Sequence, residues 1–221
     1  METLDSNNNM EVESALNISP ADKDDFLEQV MEVERSAWPP ELQASKQKFE
    51  SRFNIFSQGF FVVRLDGKIK GVATSQITTY DETSSHTWDE ITDNGMIGKT
   101  HNPQGNALYV VSVGVGADVQ GRGVGGKLVQ SQLELAKKLG LKYLFLGARA
   151  PGYDAYCKKN GETSMEEYLK LKDDDGETWD PEIRFYERQG LHPAKIIPNF
   201  EPDVQSRDYG VVMLWENPHA K

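Results

Sequence analysis

The sequence has a single cysteine, Cys157, which excludes an internal disulfide, redox chemistry by a CxxC pair and any all-cysteine metal site within one chain. A chain so poor in cysteine suits a reducing compartment, and the cytoplasm is the expected location. Long apolar runs are also missing. Nothing approaches the roughly 20 consecutive residues that cross a bilayer, and the opening METLDSNNNMEVES has neither the basic end nor the apolar centre of a signal peptide. No membrane is expected as a partner. Basic residues are in deficit, 24 Lys and Arg against 35 Asp and Glu, for a formal charge of −11. Without a cationic excess to displace counterions from phosphates, general affinity for nucleic acid is excluded. The acidic residues are spread through loops such as Asp173, Asp174 and Asp175, where they keep the chain soluble and mildly favour a cationic substrate. Four scattered histidines without paired spacing give no metal site.

What is present is the material of one domain. The 221 residues are 38% hydrophobic, enough for one sizeable core. Residues 1–19 are polar and hold too little apolar surface to offset the entropy of ordering them, so a flexible tail is expected there, followed by a single domain over 20–217. From Ala21, the spacing of Phe26, Val30, Val33 and Ala37 predicts a helix that Pro39 and Pro40 end. A second helical segment carries Leu42, Phe49 and Phe53. The period then changes. FFVVRL and KIKGVATSQIT are β-branched and aromatic runs joined through Asp66 and Gly67, the signature of a tight hairpin. Thr79–Asn106 is a connection far longer than the usual 4 to 6 residues or so, and its clusters around His86 with Trp88 and from Lys99 to His101 mark it as functional rather than disordered.

Ala107–Val115 reads as a strand, the segment with Val124, Leu128, Leu135 and Leu139 as a helix closed by Gly140, and LKYLFLGA as a second strand. Together they predict a βαβ unit with parallel strands. WDPEIRFYERQGLHP predicts a helix with Asp180 as N-cap, Pro181 in the first turn and Gly190 at the exit, and RDYGVVMLW a closing strand. Between them, Pro151–Trp179 is an insertion with a short helix capped by Ser164, with Glu167 three residues on.

Within the βαβ unit, Val119–Lys127 reads VQGRGVGGK, and three phosphate-binding patterns overlap on it. From Gly121 it is GxGxxG, or GxxxxGK with Leu128 where a P-loop has Ser or Thr; from Gln120 it is QxxGxG. All three present backbone amides and the positive end of a helix dipole to anionic oxygens. A dinucleotide fold needs its glycine turn after the first strand and a carboxylate about 20 residues on. Here the turn lies mid-chain after a hairpin, and LKYLFLGARA ends at Arg149 without an acid. A P-loop enzyme fails because Leu128 cannot ligand magnesium and no Walker-B aspartate follows. QxxGxG remains, beside the plain alternative of a glycine turn used for packing.

The element order together with VGVGADVQGRGVGGKL resembles the GNAT superfamily of N-acetyltransferases, from about Ala21 to Trp215. HTWDEIT, THNPQGNALYVVSV, GARAPGYDAY, DPEIRFY and NFEPDVQSRDYGVVMLW resemble a branch that occurs alone or joined to a nitrilase-type hydrolase. The resemblance implies an α/β architecture with a mixed α+β sheet: the GNAT-like acyl-CoA N-acyltransferase fold, a central mixed sheet splayed between two parallel strands and flanked by helices. It implies acetyl-CoA as cofactor and an amine acceptor whose identity the motifs do not reveal; a small molecule is expected. Val113 and Val115 map to backbone partners of the pantetheine arm. Gln120, Gly121, Arg122, Gly123, Val124, Gly125 and Gly126 map to the pyrophosphate cradle, with Arg122 and Lys127 supplying charge. Ala117 departs from the proline of many relatives. A homodimer is an expectation from the resemblance alone.

Acetyl transfer to an amine needs a neutral amine, a polarised carbonyl and a proton for the departing thiolate. Tyr186 matches the family's helical tyrosine, whose phenol donates that proton; otherwise it packs with Ile183 on the buried face of its helix. For the base, Glu34, His86, Asp89, Glu90 and His101 are candidates, each also explained as a surface or capping residue. Trp88, Arg149 and Tyr153 join Glu34, His86, Asp89 and His101 as candidates for the acceptor side, and Arg149 and Tyr153 could equally fasten the insertion to the sheet. Cys157 lacks the His and acid pairing of a nucleophile. Two other functions stay open: a non-catalytic acyl-CoA-binding module, and an acetyltransferase acting on protein lysines or N-termini.

Overall fold

The computed structural model describes residues 10–220. Where the sequence reads as one domain over 20–217, the described residues cluster into two compact units. The first comprises residues up to Gln76 with Val110–Leu135, the second Ile77–Tyr109 with Ala136 onward. Seven strands, β1 (Met10–Ser14), β2 (Phe60–Leu65), β3 (Lys68–Thr78), β4 (Ala107–Val115), β5 (Tyr143–Ala148), β6 (His192–Ile197) and β7 (Gly210–Glu216), follow the order β1-β2-β3-β4-β5-β7-β6 in a mixed sheet.

In the first unit, β2 (Phe60–Leu65) and β3 (Lys68–Thr78) form the expected antiparallel hairpin. Asp66 at φ 51° and Gly67 at φ 77° supply the two left-handed positions that such a turn needs. Alternate residues serve the two faces. Phe60, Val62 and Val72 pack with Phe26, Leu27 and Val30 of α1 (Lys23–Ala37) and Phe49 of α2 (Lys46–Phe56). Val63, Leu65 and Ala73 pack with Val124 and Leu128 of α4 (Val124–Lys138). Each fully buried large side chain contributes about 1.5–3 kcal/mol. Gly71 of β3 sets how closely α4 approaches. A Cβ there would come within 2.5 Å of Val124 Cγ1 and 3.0 Å of Leu128 Cδ1.

The flexible tail expected over 1–19 is corrected for its second half, residues 1–9 lying outside those described. Met10–Ser14 form β1, antiparallel to β2 from Met10↔Leu65 to Ser14↔Phe61, and Ala15 is buried. An edge strand draws its hold from backbone hydrogen bonds and a few side chains, here including the Glu13–Arg64 ion pair at 2.8 Å, so an ordinary apolar content is not required.

In the second unit, β5 (Tyr143–Ala148) pairs in parallel with the start of β4 (Ala107–Val115) and antiparallel with β7 (Gly210–Glu216). The β4–β5 ladder covers three residues, Ala107↔Tyr143 to Tyr109↔Phe145. The edge strand β6 (His192–Ile197), which the sequence does not announce, pairs with β7 across a bulge at Pro193–Lys195, the kind of position where a sheet tolerates proline. The long connection holds α3 (Trp88–Thr92) with a full Thr87–Glu90 capping box. The connection is ordered enough to hold buried Ile97 at φ 56°, its N–H donating to the Thr92 carbonyl at 2.8 Å. The insertion forms α5 (Tyr153–Asn160) and α6 (Met165–Tyr168), the latter capped by Ser164. Asp180 caps α7 (Pro181–Arg188), accepting from the N–H groups of Glu182 and Ile183. No helix among the described residues is long and apolar enough to cross a membrane.

Candidate active site

The glycine loop of the first unit is built for an anion. Gly121 and Gly123 sit at φ 77° and 85°, conformations that cost any other residue about 1–2 kcal/mol. Gln120 and Arg122 are exposed beside them. The loop runs into α4, whose first-turn amides, those of Gly125 and Gly126 among them, have no carbonyl a turn earlier in the helix to bond. Lys127 is exposed one turn in, while Leu128 is fully buried and faces the core. Val113 and Val115 are half-buried on β4 against the Val63 and Leu65 cluster. Amides in left-handed turns, a helix start and two cations fit a pyrophosphate.

In the second unit, α7 carries two titratable groups whose pKa values the fold displaces. Tyr186 is buried, and burial, then the charges of Glu182 and Tyr109, hold its phenol well above the ordinary value, so it keeps its proton at neutral pH. Glu182 lies one helical turn earlier on the same side. Burial pushes its carboxyl up to about 7, against the pull of Arg149, whose backbone N–H donates to Glu182 Oε1 at 3.1 Å. A phenol that stays protonated and a carboxyl poised near neutrality are a proton donor and a proton acceptor on one helix. Sequence reasoning missed Glu182, although its spacing of four from Tyr186 was the available signal.

The other candidates fall into different settings. Glu34, in the first unit, is buried; its Oε1 accepts from Ala44 N at 2.7 Å, and burial raises its pKa. The nearby Arg52, lowered to about 10 by burial, donates from Nη1 to Thr74 Oγ1 and Ser112 Oγ. The remaining candidates lie in the second unit. His101 Nδ1 accepts from Ile77 N at 3.2 Å, so that nitrogen is committed to the backbone. Glu90 closes the capping box of α3, and Asp89 is exposed in its first turn. Trp88 N donates to the Phe200 carbonyl at 2.9 Å. Arg149 holds Asp203 through Nε and Nη2, both at 2.9 Å, and Tyr153 Oη donates to the Thr163 carbonyl at 2.6 Å. Both of those side chains therefore do fastening work.

His86 alone of the candidates lines a cleft of ≈ 470 Å³, counting the space open to solvent at its mouth, that lies wholly within the second unit. Its floor is apolar and aromatic: Tyr109, Phe145, Ile197, Phe200 and Val212, all buried. Its rim carries Asp81, Glu82 and Ser84, all exposed. Lys195 Nζ fastens the rim by donating to the carbonyls of Glu82, Thr83 and Ser84 at 3.2, 3.3 and 3.0 Å.

Residues 26–158 match the Acetyltransferase (GNAT) family. The uncharacterized N-acetyltransferase YkwB of Bacillus subtilis (strain 168) is 33% identical over 200 residues, 88% of this chain and 86% of YkwB. The probable hydrolase YhcX of the same organism is 28% identical over 193 residues, 86% of this chain and 37% of YhcX. The solved structure of the GphF GNAT-like decarboxylase in complex with isobutyryl-CoA has a TM-score of 0.75 at 21% identity, covering 94% of this chain and 98% of that one. The chain belongs to the acetyltransferase (GNAT) family. It is an acyltransferase whose donor is an acyl-coenzyme A, and the glycine loop has the chemistry to hold that donor's phosphates.

Proposed function

We propose that this protein moves an acetyl group from acetyl-coenzyme A to the primary amine of a small molecule by direct attack, in the cytoplasm. The observation that carries the reading is the pairing on α7 of Tyr186, kept protonated, with Glu182, poised near pH 7. An alkylamine with an ordinary pKa near 10.4 or so must shed a proton before it attacks. Glu182 accepts it. Tyr186 Oη gives its own proton to the departing sulfur, which would otherwise leave as a thiolate, and regains one from the nitrogen, which sheds its second proton as the amide forms. When bound, coenzyme A supplies the activated thioester. Its phosphates are held by the amides of Gly121–Gly126 with Arg122 and Lys127, and its arm by the backbone at Val113 and Val115. A cleft with a buried floor, rather than an open groove, favours a small acceptor over a protein chain.

The test follows free thiol released from acetyl-coenzyme A across amines, amino acids, polyamines and peptides. Acceptor-dependent release is expected. Tight cofactor binding with no release for any acceptor would leave a binding module instead.

A further inference from the structure

Resting on that reading, we propose that the cleft of the second unit is the acceptor site, and that it takes a primary amine borne on an aromatic or branched apolar body that lacks a carboxylate. The floor sets the body. Tyr80 and Tyr109 both meet the Phe145 ring edge-on, at 4.9 and 5.0 Å between centroids, leaving an aromatic surface that a ring or branched chain can cover. Phe200 forms the facing wall because two glycines make room for it. A Cβ at Gly147 would stand 2.1 Å from its Cζ, and one at Gly210 2.3 Å from its Cγ.

The rim sets the charge. Asp81 and Glu82 are exposed carboxylates there, and the lysine of the rim, Lys195, whose donors go to three backbone carbonyls, offsets only one of their two charges. An acceptor carrying its own carboxylate meets repulsion, and a cationic amine meets attraction.

The experiment measures calorimetric binding of phenethylamine to the full chain, and thiol release with phenethylamine, phenylalanine and spermidine. Phenethylamine is expected to exceed the other two at least tenfold in kcat/KM. Tyr80→Leu, which removes one ring of the aromatic surface at a half-buried position, is expected to weaken phenethylamine about tenfold. Ser84→Trp, at the exposed mouth, should weaken it similarly while acetyl-coenzyme A affinity is unchanged. Equal or better turnover of phenylalanine or spermidine would overturn the proposal, as would phenethylamine binding that neither variant alters. If no amine releases thiol, the acetyl-transfer reading falls by itself. Phenethylamine binding weakened by both variants would then still uphold the cleft, and absence of binding would overturn it.

Discussion

Replacing Glu182 by Gln removes a charge that the fold holds at a disadvantage. Burial lifts this carboxyl from an ordinary 4.5 to about 7, outweighing the Arg149 interactions that favour its charged form. At about 1.4 kcal/mol per pH unit the difference is on the order of 3 kcal/mol. The sign follows from which state binds the proton more tightly. Below about pH 4.5 both folded and unfolded chains carry the protonated acid, and the site takes nothing from stability. Between there and about 7 the unfolded chain ionises first, so stability falls as pH rises, and above 7 the full penalty is present. Glu182→Gln keeps the Oε1 that accepts from Arg149 N but abolishes this loss, so the variant should equal the native chain near pH 4.5 and exceed it by up to about 3 kcal/mol at pH 8. Urea unfolding at the two pH values measures this. In the same variant, kcat/KM should fall by about 10²-fold or more and lose the limb that rises through pH 7. An unchanged pH dependence of stability would refute the burial argument, and a rate profile that keeps its limb near 7 would remove Glu182 from the proton-accepting role.

Three further substitutions test the parts separately. Gly123→Ala forces a side chain to φ 85°, at a cost of about 1–2 kcal/mol, and should weaken acetyl-coenzyme A binding by about tenfold in calorimetry. Gly71→Val drives a side chain into Val124 and Leu128, displaces the start of α4, and should reduce acetyl-coenzyme A affinity with no substitution in the loop itself. Lys195→Met frees the carbonyls of Glu82, Thr83 and Ser84 and should raise the acceptor KM severalfold while leaving acetyl-coenzyme A affinity in place.

Local chemistry made much of this molecule readable in advance. The Asp66–Gly67 turn, the Asp180 cap with Pro181, the Ser164 cap and the βαβ unit around the glycine loop are short-range devices, each written within a few residues. What escaped was set by partners distant in the chain. β1 looks like a polar tail until β2 offers it an edge, and β6 looks like a proline-containing loop until β7 does. His101 has the composition of a base, but the amide of Ile77, 24 residues away, takes its nitrogen as an acceptor. Arg149 has that of a substrate ligand, but Asp203, 54 residues away, occupies its guanidinium. Glu182 reads as a first-turn helix carboxylate; only burial beside Arg149 and Tyr186 gives it a pKa worth using.

In the proposed reaction Tyr186 completes acetyl transfer by protonating the departing sulfur. The most direct test of that step compares Tyr186→Phe with the native chain, in turnover of acetyl-coenzyme A with the best acceptor and in calorimetric affinity for acetyl-coenzyme A. Tyr186→Phe should lower kcat by about 10²-fold or more with cofactor affinity within twofold of native. Native turnover in the phenylalanine variant would contradict that role.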